Sequence, residues 1–77
     1  MEQNVVLANR LKELMEEKGM SLREVAEKSK IPVRRLHRMV NAGVSNPSVF
    51  VMIRICDALG VTLDEFFKTE EFAKLAQ

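Results

Sequence analysis

The sequence predicts an all-α fold, a compact domain of five helices. Apolar residues recur at spacings of three and four through five successive segments, and no segment shows the alternation of a strand. Two of the predicted helices begin with a capping box, in which a serine or threonine precedes a glutamate by three residues (Ser21 with Glu24, Thr62 with Glu65). The 77 residues, 47% of them apolar, are enough for one small core.

The first two helices are bounded by clear signals. Helix 1 is predicted over residues 5–18, behind a frayed N-terminus, because Gly19 then stands where a left-handed C-cap is expected. Helix 2 begins after Ser21 and ends near Ser29. Lys30 then takes a turn position that favours glycine, at an expected cost of about 1 kcal/mol.

Helix 3 is predicted from Pro32 to Val40 or Asn41. Pro32 takes the cap or the first helical position. Its ring restricts Ile31 before it to an extended conformation, in which the Ile31 side chain can pack into the core. Neither residue offers a capping side chain. The first N–H groups of helix 3 are therefore left for solvent or a phosphate.

Helix 4 is predicted to follow a loop of residues 41–45, with Asn46 as its N-cap and Pro47 at its first position. Gly60 ends it. Its inward stripe is predicted to consist of Val49, Met52, Ile53, Cys56 and Leu59.

The C-terminal part is predicted to hold helix 5, from Leu63 to about Lys68, and to complete a domain of residues 1–68. The tail, residues 69–77, either extends helix 5 or forms a sixth short helix. This part of the chain has an excess of apolar side chains, which predicts that it forms the contact of a homodimer. The predicted dimer residues are Phe66, Phe67, Phe72 and Leu75.

Helix 3 has two chemically different faces. On a helical wheel, the apolar residues Val33, Leu36, Met39 and Val40 share one side. The other side and its flanks carry Arg34, Arg35, His37, Arg38 and Asn41. Such a basic face can be an ordinary solvated surface, but no acidic residue is near enough to form the usual i,i+4 pairs. A helix of this kind suits the major groove of DNA.

The charge is polarised along the chain, although the net charge is only +1. No acidic residue occurs between Glu27 and Asp57. The basic residues in that interval are Lys28, Lys30, Arg34, Arg35, Arg38 and Arg54. A cationic region bounded by acidic ones indicates a polyanionic partner for the middle of the chain.

Two strings carry a resemblance to a known family. They are RLKELMEEKGMSLREVAEKSKIP at the front and NPSVFVMIRICDALGVTLDEFF at the back. With them the chain, from Val5 to Phe67, resembles the Cro/C1-type helix-turn-helix domain (XRE family, phage-repressor-like), with a loop length similar to that of SinR-type repressors. The resemblance implies a lambda-repressor-like fold whose helix-turn-helix is formed by helices 2 and 3. It also implies a sequence-specific transcriptional regulator, a repressor that binds a near-palindromic operator of double-stranded DNA as a dimer.

The family pattern implies which residues meet DNA. Base edges are expected to be contacted by Val33, Arg34 and Arg38, with His37 beside them, since arginine can grip guanine and valine can meet a thymine methyl group. Phosphates, which position the protein without reading sequence, are expected to be contacted by Ser21, Arg23, Lys30, Arg35, Asn41 and Ser45.

Three departures from the family pattern stand out. Leu22 occupies the place where many members have a phosphate-binding glutamine, and Lys30 replaces the usual turn glycine. Met15 and Val40 stand where the family often has an arginine–glutamate bridge. Because both partners are replaced by apolar residues, no charge is stranded, and we expect Met15 to pack on Val40.

Two rivals use the same fold without reading DNA. One is a protein-binding module, antirepressor-like or antitoxin-like, which Leu22 and the near-neutral net charge favour. The other is a structural adaptor whose basic face meets an acidic protein. DNA binding would differ from both in its steep salt dependence.

The sequence lacks the residue patterns that other classes of function require. A single histidine without a paired nucleophile, and no glycine-rich loop, indicate neither an enzyme nor a cofactor or small-molecule site. His37 has no companion ligand for a metal site, and Cys56 is expected in the core. A lone cysteine, no signal peptide and no long apolar run predict a cytoplasmic protein without a membrane span. The family resemblance implies that it comes from a bacterium or a phage.

Overall fold

A computed structural model describes residues 3–41 and 47–75, and these ranges hold only helices and the turns between them. In chain order the helices are α1 (Gln3–Lys18), α2 (Leu22–Ser29), α3 (Val33–Val40), α4 (Val49–Leu59), α5 (Leu63–Phe67) and α6 (Glu70–Leu75). The predicted all-α class is confirmed. The tail forms its own short helix instead of extending α5.

α1, with 16 residues, is the longest helix. It begins at Gln3, two residues before the predicted start, and ends at Lys18; Gly19 follows with the expected left-handed conformation, φ of 64°. Val6, Ala8, Leu11 and Leu14 are its buried residues. They bring α1 into contact with α3, α4 and α6.

Both ends of α2 have the predicted geometry: the capping box at its start and the turn that leads to α3. The Ser21 hydroxyl accepts a hydrogen bond from the Glu24 amide, and the Glu24 carboxylate accepts one from the Ser21 amide, each at 3.1 Å. Lys30 follows α2 with φ of 60°, a left-handed conformation in a residue that carries a Cβ. Ile31, the next residue, is buried in the core, and this burial fixes the position of the turn.

The predicted start of α4 is wrong. Ser48 is the N-cap: its backbone is extended, and its hydroxyl accepts a hydrogen bond from the Val51 amide at 3.2 Å. Pro47 precedes the helix, and Asn46 lies outside the described residues. The cap therefore lies two positions after the predicted one, as the backbone conformation of Ser48 and the hydrogen bond to its hydroxyl show.

The predicted inward stripe of α4 is also partly wrong. The buried residues are Met52, Ile55, Cys56, Ala58 and Leu59. Val49 and Ile53, both expected inside, are 65% and 44% exposed. The helix is apolar on nearly all sides, so spacing alone does not say which side faces α2, α1 and α5.

The core draws on all of the first five helices. Its largest fully buried side chains are Leu11, Val25, Leu36, Met39, Ile55 and Phe66. Phe66 has no exposed surface, which corrects its prediction as a dimer contact: it is a core residue of the single chain. Phe72 of α6 packs partly buried against the same core, so the tail rests on its own domain.

Candidate nucleic-acid interface

α3 is anchored by one face and open on the other. Leu36 and Met39 are at most 1% exposed, and Val40 is half-buried against the core. The opposite side and its flanks are solvent-exposed, with Arg34, Arg35, His37, Arg38 and Asn41. Val33, grouped by the wheel with the apolar side, is 49% exposed, because it is the first residue of the helix and lies at the edge of the buried face. The structure therefore brings together all four residues predicted to read bases, and two of those predicted to contact phosphates.

The N-terminus of α3 has no side-chain cap, as the sequence indicates. Pro32 is the N-cap residue, and its carbonyl oxygen accepts hydrogen bonds from the amides of Arg35, at 3.0 Å, and Leu36, at 3.2 Å. No side chain accepts from the first turn of this helix. Its partial positive charge is thus available to an anion together with the exposed side chain of Arg34.

The C-terminus of α3 is closed by Asn41. Its backbone amide and its side-chain amide both donate to the His37 carbonyl oxygen, at 3.2 Å and 2.9 Å. The same side-chain nitrogen lies 3.2 Å from Nδ1 of the His37 ring. The side chain of Asn41, predicted as a phosphate contact, therefore also lies against the imidazole of His37 at the end of α3.

α2 and the turn place the other predicted phosphate contacts. Arg23 and Lys30 are exposed, and the exposed Ser21 uses its hydroxyl to cap α2. Ser21 can still donate its hydroxyl proton to a phosphate, because only its oxygen is used in the cap. Ser45 lies outside the described residues.

The cations of this surface are not neutralised within the described chain. Across residues 3–41 and 47–75, the one salt bridge joins Arg10 to Glu13 on α1. No salt bridge within these ranges therefore involves Arg23, Arg34, Arg35 or Arg38, and their guanidinium groups can pair with an external anion. We use the name basic surface for these four arginines with Lys30 and His37.

The apolar replacement of the family's bridge fits the packing. Met15 on α1 and Val40 on α3 are both half-buried against the core, and their helices touch. Leu22, the first residue of α2, is also half-buried against the core. Their direct contact stays a prediction, but no charge is buried at this junction.

One positioning residue escaped the sequence analysis. Arg10 of α1 is mostly buried; its Nε and Nη2 donate to the carbonyl oxygens of Phe66, at 2.7 Å, and Glu65, at 2.6 Å. These carbonyls end α5, so a guanidinium from α1 caps that helix. The only local signal is a polar residue within the apolar face of α1, and it does not reveal a partner more than fifty positions away.

Other kinds of site can be checked only in the described ranges, residues 3–41 and 47–75. Within the described ranges, no three His, Cys, Asp or Glu side chains come together as metal ligands. No helix in those ranges combines the length and apolar character needed to span a membrane. Burial raises the pKa of the Cys56 thiol, which lies in the core as predicted.

Comparison with known families agrees with this geometry. The family model described as helix-turn-helix (HTH_3) matches residues 11–66, which include α2, α3 and the turn between them. No curated protein and no solved structure matches the chain. The match covers more than half of the residues and includes the whole basic surface. The chain therefore belongs to the Cro/C1-type helix-turn-helix family (XRE family), a family of DNA-binding regulators.

Proposed function

We propose that this protein is a transcriptional repressor that inserts α3 into the major groove of its operator. The observation that carries the proposal is the division of α3: Leu36 and Met39 are buried, and the arginines on the opposite side are exposed and unpaired within the described chain. A helix fixed in this way presents its outer side chains as a rigid set. It then loses little conformational entropy when it binds.

The sequence-reading residues follow from position on the exposed side. Arg34 and Arg38 lie one turn apart, and each can donate two hydrogen bonds to O6 and N7 of a guanine. Val33, at the entry of α3 and 49% exposed, suits a thymine methyl group. His37, held by Asn41, lies beside them and can act as donor or acceptor.

The other members of the basic surface orient the protein on the DNA. Arg23, Lys30 and Arg35 flank the base-reading side chains and suit phosphates, which carry no sequence information. The uncapped N-terminus of α3 and the Ser21 hydroxyl supply neutral donors to the same backbone. Asn41 and Ser45 complete the proposed phosphate contacts.

A single copy of this domain reads only a half-site. α3 has 8 residues, a length of about 12 Å at 1.5 Å per residue, whereas one turn of DNA spans about 34 Å. We therefore infer a dimer that binds two half-sites one turn apart on a near-palindromic operator. Acting on DNA, it would work in the cytoplasm of a bacterium or of a phage-infected cell.

A second candidate function is a protein-binding module of the same fold. The half-buried Leu22 at the first position of α2 favours it, because that position then offers no polar group to a phosphate. The exposed Phe50 also favours it, since exposed aromatic residues are common in protein–protein interfaces.

Selection from a random pool of DNA duplexes tests the proposal against that rival. We expect a near-palindromic sequence to be enriched, and its affinity to fall by orders of magnitude as salt is raised from about 50 to 200 mM, because several phosphates are neutralised. A pool without enrichment, together with salt-insensitive binding to every duplex, would contradict DNA reading and favour the protein-binding module.

A further inference from the structure

The side of α4 that points away from the core is unexpectedly apolar. Val49 is 65% exposed, Phe50 76% and Ile53 44%. Arg54 and Asp57, both exposed, are the only charged residues of this helix. On a helical wheel these five positions form one continuous arc opposite the buried residues. We call this arc the outer face of α4.

The size of the apolar part of this face is that of a binding patch. A phenylalanine carries about 200 Å² of surface, so Phe50 alone exposes on the order of 150 Å². With Val49 and Ile53 the patch reaches roughly 300 Å², which is at the scale of the largest apolar patch of a typical monomer. Isolated exposed apolar residues need no explanation, but three on adjacent positions of one helix do.

The aromatic residues of α5 and α6 do not supply a comparable surface. Phe66 is fully buried, and Phe72 packs partly buried against the core, with its ring centroid 6.2 Å from that of Phe66 and 4.9 Å from that of Phe67. Phe67 is only 38% exposed. The aromatic residues near the C-terminus thus stabilise their own chain, and the larger exposed apolar surface is on α4.

The charges on the outer face are self-complementary. Arg54 and Asp57 lie three positions apart, and across residues 3–41 and 47–75 neither forms a salt bridge. A twofold axis pairs a surface with itself, so a residue away from the axis meets a different residue of the other copy. Two antiparallel copies of α4 can place Arg54 of each near Asp57 of the other, with the apolar residues between them.

We propose that the outer face of α4 is the homodimer interface of this protein, packed against the same face of a second copy around a twofold axis. The inference rests on the proposed function, because a near-palindromic operator requires two copies. The smallest specific interfaces bury about 600 Å² per partner, roughly 60% of it apolar, and the patch supplies most of that apolar part. The dimer is therefore a weak one, with dissociation in the micromolar range, and DNA that engages both copies stabilises it.

Sedimentation without DNA tests the interface in the full chain. Wild-type protein between about 1 and 200 µM is expected to pass from monomer to dimer. Phe50→Ser is expected to raise the dissociation constant at least about 30-fold, as the loss of a central aromatic contact does. Because Phe50 is exposed, circular dichroism and melting of the variant should match the wild type.

Phe67→Ser is the matched comparison, since it removes an aromatic side chain from the C-terminal part of the chain. The inference expects Phe67→Ser, at a temperature where it is folded, to dimerise like the wild type. A wild-type protein that stays monomeric, or a dimer lost with Phe67→Ser and kept with Phe50→Ser, would overturn it.

A second measurement separates this inference from the proposed function. Binding to a duplex of about 20 base pairs of arbitrary sequence at low salt reports DNA contact without requiring an operator. Phe50→Ser is expected to retain this binding. A monomeric wild-type protein that binds the duplex would overturn the dimer interface and leave DNA contact by α3 standing. A dimer that binds no DNA would overturn the proposed function and leave the interface standing.

Discussion

The guanidinium Nε of Arg10 lies 2.7 Å from the backbone carbonyl oxygen of Phe66, and this hydrogen bond joins α1 to the C-terminal end of α5. Phe66 is the largest fully buried side chain of the domain. The contact therefore holds the backbone of a residue whose ring fills the core. It stabilises the core on which α3 packs, although Arg10 itself forms no hydrogen bond with α3 within the described residues.

Replacing Arg10 should destabilise the domain. Arg10→Ala leaves the carbonyls of Glu65 and Phe66 without their charged donor, so we expect a loss of about 1.5–3 kcal/mol in the free energy of unfolding. Urea denaturation measures it. Lys12→Ala, at an exposed position of the same helix, is the control and should change stability by less than about 0.5 kcal/mol. Equal effects of the two variants would refute the capping role of Arg10.

Lys30 stores a small backbone strain in the turn. Its φ of 60° is costly for a residue with a Cβ, so Lys30→Gly should relieve about 1–2 kcal/mol of strain, offset by about 0.5–1 kcal/mol of lost chain entropy. We expect a net gain of up to about 1.5 kcal/mol, seen as a higher melting temperature. Lys30→Ala keeps the Cβ and should gain nothing; a matching gain there would show that the charge, and not φ, is responsible.

The start of α4 can be tested by its cap. Ser48→Ala removes the acceptor for the Val51 amide and should cost about 1 kcal/mol in the free energy of unfolding, whereas Ser48→Asp should retain most of it. Thermal melting of both variants distinguishes a capping role from a general effect of substitution. If Ser48→Asp lost as much as Ser48→Ala, the cap would not lie at this residue.

The buried thiol of Cys56 predicts a pH dependence. Burial raises the pKa of Cys56 in the folded state, so above the ordinary thiol pKa of about 8.5 the unfolded chain releases this proton more readily. Stability from this group is complete below that pH and is lost as the pH rises further. Urea titrations at rising pH should show a steeper decline for the wild type than for Cys56→Ala. Parallel declines would mean that the thiol contributes nothing.

Local chemistry made much of the fold predictable. Ser21 with Glu24, Thr62 with Glu65, and the left-handed Gly19 and Gly60 all mark real helix ends. Each is predictable because the residues that satisfy a helix terminus lie within three or four positions of it. The composition of α3 similarly reveals its two faces, since its basic and apolar residues separate cleanly on a wheel.

The misses have a different physical origin. The orientation of α4 depends on what packs against it, because a helix with apolar residues on nearly every side can bury either Ile53 or Ile55. Arg10 and Phe66 meet only through the tertiary fold. For the candidate site, the sequence places the side chains on α3 but does not show that Asn41 uses its amide to hold His37.

The central claim, that the outer side of α3 reads DNA, is tested most directly by the affinities of Arg34→Ala and Arg35→Ala for the selected operator and for its single-base variants. We expect Arg34→Ala to lose about 1–3 kcal/mol of binding free energy and to relax discrimination at one base pair. Arg35→Ala should weaken binding to all sequences alike and lower the salt slope by about 1. If both variants bound the operator and its variants as the wild type does, the assignment of α3 as the recognition helix would be wrong.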